Sequence, residues 1–158
     1  MEKGNGYTKK GNDFTVSLGI IFDYDPQGAS WLKNIKYSFI KLFYGVYPPD
    51  HVILYVWGNG VHEKTGDIIS NPHSGIVKMI VLENGSSHLQ RWKTEERNIL
   101  VDFKDAFGKY PKQRVGGIGI QTDSDNTSYY YKKRYRAVGY YEDIIVSKRP
   151  LFEKPVGN

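Results

Sequence analysis

Large apolar side chains recur at every second position near both ends of this chain, and this period constrains the fold more than any other feature. From Phe14 to Tyr24 they alternate with smaller or polar residues, and a second alternation runs from Ala137 to Val146. Successive side chains of a β-strand point to opposite faces of a sheet. Both segments are therefore predicted to be strands that bury one face.

Three further strands are predicted from short apolar runs. They cover His51–Trp57, Ile76–Leu82 and Val115–Thr122. The first is continuously apolar, which is typical of a strand that is buried on both faces. Residues 58–74 between the first two runs are predicted to be a polar loop.

Two helices are predicted between these strands. Apolar residues from Ser30 to Tyr44 fall at helical spacing behind Ser30 as a cap, and Gly45 is predicted to end this helix, although a strand remains an alternative there. Thr94 is predicted to cap a second helix, which would carry acidic residues in its first turn and end at Gly108.

Strands joined by long and irregular connections favour a mainly β fold. We predict an antiparallel β-sandwich of the jelly-roll kind, with one or two short helices at its rim. Residues 1–12 are predicted to be a poorly ordered lead-in, 13–148 the single domain and 149–158 a C-terminal tail. A βαβ unit around the second helix is the alternative, but no glycine-rich phosphate loop follows a strand.

The absence of certain residues and motifs argues against several kinds of catalytic and metal site. The chain has no cysteine, which excludes disulfides, thiolate metal sites and a cysteine nucleophile. Its four histidines lack the HxH or HExxH spacing of zinc hydrolases, and no serine lies in a GxSxG motif. The sequence therefore offers little support for an enzyme.

The charge pattern does not favour a nucleic-acid partner. The formal net charge is +5, and the densest basic run mixes lysine and arginine with tyrosine over residues 129–136. Such mixing could stack bases and hold phosphates, but it is also typical of a solvated loop or strand end. No apolar run approaches the roughly 20 residues that span a bilayer.

An oxygen-rich stretch directly after the Val115–Thr122 strand is the first candidate site. Its carboxylate, amide and hydroxyl groups suit calcium or the hydroxyls of a sugar. Asp123 and Asp125 are the predicted calcium ligands, and a turn bonded to its own backbone is the alternative. The predicted ligand-binding residues here are Asp123, Asp125, Asn126 and Thr127.

A second candidate site lies at the start of the second predicted helix. Trp92, Glu95, Arg97 and Asn98 cluster there. A glutamate beside an arginine suits acid–base work or the bidentate grip of an anion, whereas the alternative is a helix cap with a salt bridge. Trp57, at the end of a predicted strand, joins the ligand-binding set.

The order and spacing of several short motifs resemble an uncharacterised bacterial family that is classed only as a domain of unknown function. The motifs are Y-V-W, W-x-x-E-x-R-N, A-F-G, T-D-[ST]-D-N-T and a closing acidic-Asp-Ile, which match segments from Tyr55 to Ile144. The resemblance covers about 13–146 and offers no catalytic residues. It implies export to the periplasm or cell exterior and a last strand similar to those of jelly-roll sugar-binding domains.

The start of the chain departs from this family pattern. Family members usually begin with further strands before the position that matches Asp13, and often with a signal peptide, whereas Met1 lies only twelve residues upstream. The resemblance therefore implies an internal start and missing N-terminal strands. An apolar face exposed in this way is predicted to lead to a homodimer.

Three functions follow from these observations. The first is a non-catalytic carbohydrate-binding module of the bacterial cell envelope, because tyrosine and tryptophan are abundant and polar loops follow strand ends. The second is a polysaccharide-active hydrolase or lyase that uses Glu95 with Arg97, or the carboxylates of Asp123 and Asp125. The third is a structural or assembly protein without a small ligand, for which the sign would be a large exposed apolar patch.

Overall fold

A single mixed sheet flanked by two helices organises the chain. The computed structural model describes residues 5–9, 11–59, 62–123 and 138–148. In chain order its elements are β1 (Ser17–Phe22), α1 (Trp31–Tyr44), β2 (His51–Gly58), β3 (Ile68–Ser70), β4 (Val77–Asn84), α2 (Ile99–Phe107) and β5 (Val115–Gln121).

The strand order across the sheet is β3-β4-β2-β1-β5. β1 is antiparallel to both β2 and β5, and β3 is antiparallel to β4, but β2 and β4 are parallel. The antiparallel prediction is therefore wrong at the centre of the sheet. The short strand β3, inside the segment predicted as a loop, takes the chain back along the outer side of β4, so that β4 enters the sheet in the direction of β2.

One face of the sheet is covered by α2. Phe103 is fully buried among apolar side chains of β1, β2 and β4, and its ring lies edge-on to that of Phe22 at 4.6 Å between centroids. The apolar stripe of α2 produces this contact because residues three or four apart share one side of a helix. This cluster of buried residues comprises Ile20, Phe22, Ile53, Tyr55, Ile80 and Phe103.

The opposite face is covered by the chain that precedes β1. Phe14 packs with side chains of β2, β3 and β4 in a second buried cluster. Polar contacts hold this segment in place: the amide N–H of Gly6 donates to Glu63 Oε1 at 2.5 Å, and Asn59 Nδ2 donates to the carbonyl of Asp13 at 2.8 Å. Gly6 of the predicted lead-in is therefore bonded to the connection between β2 and β3.

Both helices end at a glycine in the left-handed region, as the sequence predicts. Gly45 has φ 78° and Gly108 has φ 74°, conformations that are strained for residues with a Cβ. Ser30 caps α1, so the helix predicted for that segment is confirmed and its strand alternative is excluded. The cap predicted at Thr94 is wrong, because Asn98 accepts from the amides of Leu100 and Val101 and α2 begins only at Ile99.

The predicted closing strand is also corrected. Residues 138–148 contain no strand, and the first alternating segment forms a strand only over Ser17–Phe22. Within the described part of the chain there is one sheet, and the second sheet of the predicted sandwich is not among those residues. The fold is thus β-rich, as predicted, with a mixed sheet at its centre.

Replacing Phe103 by alanine should destabilise the protein by about 3–5 kcal/mol, because the substitution leaves a cavity under α2. Urea denaturation of the purified protein measures the change. Leu100→Ala on the same helix is the control, since Leu100 is 56% exposed and should change stability by no more than about 0.5 kcal/mol. Equal losses in the two variants would contradict the packing described here.

Candidate functional site

The chain between β4 and α2 gathers charged and aromatic side chains at the carboxyl ends of the parallel strands β2 and β4. Trp57 fixes the first turn of this connection: its indole N–H donates to the carbonyl of Gly85 at 2.8 Å, and the amide of Gly85 donates to the carbonyl of Gly58 at 3.1 Å. Trp57 is half-buried. Its polar atom is therefore committed to holding the backbone of the turn.

Glu83, the penultimate residue of β4, is the buried anion of this region. His88 Nδ1 lies 2.6 Å from its Oε2, and Lys93 Nζ lies 3.0 Å from its Oε1. Burial alone would raise the pKa of Glu83, but the hydrogen bonds and positive charges of His88 and Lys93 outweigh it and hold the pKa below its usual value. Glu83 is thus kept ionised.

Glu95 differs from Glu83 although the two carboxyls influence each other. Desolvation raises the pKa of Glu95, and the negative charge of Glu83 adds to this effect against the opposing charges of Lys93 and Arg97. The side chain is exposed and so remains reachable from solvent. The region therefore contains two carboxyls with opposite pKa shifts.

Arg97 is tied to α2 by a carboxylate that lies under it. Its Nε donates to Asp102 Oδ2 at 3.1 Å and its Nη2 to Oδ1 at 2.5 Å, a bidentate pair. The hydroxyl of Tyr55 donates to the same Oδ2 at 2.6 Å. Asp102 is buried, whereas Arg97 is partly exposed. The single carboxylate of Asp102 therefore links Tyr55 of β2 to the guanidinium of Arg97 at the surface.

The same network sets the protonation of its other members. Burial raises the pKa of Tyr55 well above its usual value, and the hydrogen bond to Asp102 acts in the same direction. The hydrogen bond to Asp102 likewise raises the pKa of Arg97. Tyr55 therefore remains a donor, and Arg97 remains a cation, at any ordinary pH.

Two exposed aromatic rings stand beside these charges. Trp92 is 65% exposed and Tyr140 is 75% exposed, and their rings meet at an interplanar angle of 68° with centroids 6.5 Å apart. Tyr140 reaches this position because its neighbour Tyr141 is bonded to the end of the sheet. The Tyr141 hydroxyl donates to the carbonyl of Gln121 at 2.7 Å and accepts from the amide of Ser17 at 3.2 Å.

We refer to these residues together as the β4–α2 site. Trp92, Glu95 and Arg97 of the predicted set belong to it, while Asn98 lies beside it as the cap of α2 and Trp57 supports its first turn. The members of the site are Tyr55, Glu83, His88, Trp92, Lys93, Glu95, Arg97, Asp102 and Tyr140.

Asp123 lies elsewhere. It borders a cavity of about 100 Å³ with Asn12, Asp13 and Val56, on the face of the sheet opposite α2. Its Oδ2 accepts from Gln121 Nε2 at 3.3 Å, and its amide bonds to the carbonyl of Thr15. The other three residues of the oxygen-rich stretch, Asp125, Asn126 and Thr127, lie outside the described residues, so the predicted calcium site stays a prediction.

Metal binding and membrane crossing can be addressed for the described ranges. Over 5–9, 11–59, 62–123 and 138–148, no three carboxylate or histidine side chains lie close enough together to hold a metal ion. In the same ranges, no helix is both long and apolar enough to cross a bilayer.

Sequence reasoning missed the partners that the fold brings to Arg97 and Glu95. Tyr55 and Glu83 come from separate strands, and Tyr140 comes from the far end of the chain. Only Asp102 leaves a signal in the sequence. It lies three residues after Ile99 and directly before Phe103, on the apolar side of the helix, where a carboxylate requires a partner.

The site offers two kinds of surface to a ligand, apolar ring faces and charged groups. The rings of Trp92 and Tyr140 offer apolar faces, while Lys93, Glu95 and Arg97 offer charged donors and acceptors around them. A ligand with both an apolar face and many hydroxyl or charged groups matches these surfaces. The opposite pKa shifts of Glu83 and Glu95 also meet one requirement of acid–base catalysis.

The fold and this site define a β-rich domain with a polar and aromatic surface site beside two parallel strands. The profile of a family described as "Protein of unknown function (DUF3047)" matches residues 1–145, and the chain belongs to that family. The predicted membership of a family of unknown function is thereby confirmed. No match was found among curated proteins or among solved structures.

Glu83→Gln should reduce the stability of the protein near neutral pH, because glutamine keeps the shape of the side chain but loses the ion pair with Lys93 and the hydrogen bond of a carboxylate with His88. A carboxyl whose pKa is lowered by folding stabilises the protein above its unfolded pKa of about 4.3, and this contribution is lost as the pH falls through the folded pKa. The difference between wild type and variant should therefore shrink below about pH 4.

Urea denaturation at several pH values between about 6 and 3 measures this difference. Glu142→Gln serves as the control, since Glu142 is exposed and should leave stability nearly unchanged throughout. A Glu83 difference that stays constant across the range would contradict the assigned ion pairs.

Proposed function

We propose that this protein is a non-catalytic carbohydrate-binding module and that the β4–α2 site receives the glycan. The observation that carries the proposal is the corner formed by the exposed rings of Trp92 and Tyr140. The C–H face of a sugar ring packs against an aromatic ring, which supplies a large apolar area at low entropic cost. Two rings set at a steep angle would contact a sugar from two sides.

Charged groups around the two rings support this proposal. Lys93 and Arg97 carry hydrogen-bond donors, and Glu95 carries an acceptor, all within the same short segment as Trp92. Arg97 is already held by Asp102, so it needs little further ordering when a ligand binds. A site on an open surface also suits a polymer, which cannot enter a closed cavity.

Affinity electrophoresis in gels that contain dextran, xylan, alginate or pectin tests the proposal. Wild type should be retarded by at least one of these polysaccharides, and Trp92→Ala and Tyr140→Ala should each weaken binding about tenfold or more. Trp31→Ala is a matched control, because Trp31 on α1 is 69% exposed and lies outside the site. No retardation of wild type by any polymer, or retained binding in Trp92→Ala, would reject the proposal.

A second candidate function, a polysaccharide hydrolase or lyase, is favoured by the opposite pKa shifts of Glu95 and Glu83. In such an enzyme Glu95 would be the general acid, because its raised pKa keeps more of the protonated form available, while ionised Glu83 would act as base or stabiliser. Lys93 and Arg97 would hold an acidic substrate.

Glu95→Gln should lower turnover by about 10²–10⁴-fold if Glu95 is this acid. Reducing-end release detects hydrolysis, and ultraviolet absorbance of an unsaturated product detects elimination. Activity should decline as the pH rises through the pKa of Glu95, because the acid form is then lost. Glu96→Gln, which alters the exposed neighbouring carboxyl, is the control, and equal activity in the two variants would exclude this role.

A further inference from the structure

The helix α1 is bound to the protein by its polar side. Lys33 Nζ forms an ion pair with Asp50, and the Tyr24 hydroxyl donates to Asn34 Oδ1 at 2.5 Å. The ring of Tyr37 contacts that of Tyr24 at 4.5 Å between centroids. No residue of α1 is buried. The inward side of this helix therefore consists mainly of lysine, asparagine and tyrosine, with the half-buried Ile40 beside them.

The apolar side of α1 faces solvent. Apart from Ile40, α1 has six large apolar residues, and because a helix turns by about 100° per residue they lie on a single arc of about 120°. All of them are between 48% and 79% exposed. Single exposed apolar residues are ordinary, but a contiguous group of this size marks an interaction surface. The six residues, which we call the α1 apolar face, are Trp31, Leu32, Ile35, Phe39, Leu42 and Phe43.

The charges around the α1 apolar face are positive. Residues 26–49 contain Lys33, Lys36 and Lys41 and no aspartate or glutamate. Lys36 follows Phe43 on the helical arc, so it borders the apolar face and is exposed.

We propose that α1 binds the surface of an anionic lipid bilayer, lying in its plane with the α1 apolar face inserted among the acyl chains. A helix with aromatic and aliphatic residues on one side and lysines beside them has the pattern of an interfacial membrane helix. Trp31, at one edge of the apolar arc, suits the headgroup level, where amphipathic rings are enriched. At 14 residues α1 is about 21 Å long, which fits binding along a bilayer.

Charge complementarity favours lipid over a second copy of the chain as the occupant. A two-fold dimer through the α1 apolar face would bring Lys36 of both copies to one interface, and α1 has no acidic side chain to pair with them. An anionic headgroup pairs with each lysine instead. Lys33 is paired inward with Asp50 and Lys41 lies over the ring of Tyr47, so Lys36, exposed beside the α1 apolar face, is the lysine available for lipid.

Co-sedimentation of the full chain with large unilamellar vesicles tests the proposal. Wild type should sediment with vesicles of phosphatidylcholine and phosphatidylglycerol, bind pure phosphatidylcholine at least about tenfold more weakly, and dissociate partly at high salt. The double variant Phe39→Glu/Leu42→Glu should lose binding about tenfold or more, and Lys36→Glu should lose binding to anionic vesicles. These residues are exposed, so circular dichroism should report an unchanged fold.

Tryptophan fluorescence gives a second and independent readout. Wild type should show a blue shift with anionic vesicles that Trp31→Phe removes and Trp92→Phe retains, because only Trp31 lies on the α1 apolar face. Leu89→Glu, at a residue 56% exposed outside α1, is the matched control for the glutamate substitutions and should bind like wild type.

Three results would overturn the proposal. They are absence of sedimentation with either vesicle, unchanged binding in Phe39→Glu/Leu42→Glu, and a dimer in light scattering that this variant converts to a monomer while vesicles bind neither protein. The last result would assign the α1 apolar face to a second copy of the chain. Glycan binding at the β4–α2 site is measured separately and does not depend on any of them.

Discussion

The contact of Phe103 with the sheet is the interaction on which the rest of the structure depends. This ring is fully buried against Phe22 and next to His51, and it is the means by which α2 covers the face of β1, β2 and β4. Because Asp102 precedes it, docking the ring also places a carboxylate beneath the helix. Tyr55 and Arg97 then satisfy that carboxylate, which would otherwise be costly to bury. Hydrophobic packing and the polar site are thus produced by adjacent residues.

The local sequence was sufficient to predict those elements whose boundaries depend only on neighbouring residues. Helix α1 was predicted with its cap at Ser30 and its end at Gly45, because each feature depends on a few neighbouring residues. The start of α2 was misplaced because Thr94 and Asn98 are both good caps, and packing of the helix against the sheet favours the later one. The parallel pairing of β2 and β4 could not be predicted from side-chain period, which is the same in either strand direction.

The candidate site was predicted in part for the same reason. Trp92, Glu95 and Arg97 are close in sequence, and they also belong to one site in the folded protein. Their partners Tyr55, Glu83 and Tyr140 come from distant segments and carry no mark in the sequence that assigns them to this place. The position of Asp102 on an apolar helix side was the one sign of a buried ion pair. The sequence also could not predict that Asp123 lies apart from this group. Its position depends on which face of the sheet each segment of the chain covers.

The hydroxyl of Tyr141 determines where Tyr140 lies on the surface. By joining the carbonyl of Gln121 to the amide of Ser17, it fastens the last described segment to the end of β1 and β5. Tyr140 therefore lies beside Trp92 because of an anchor on the neighbouring residue. A residue at position 141 without this hydroxyl would therefore release Tyr140 from the sheet while leaving every residue between β4 and α2 intact.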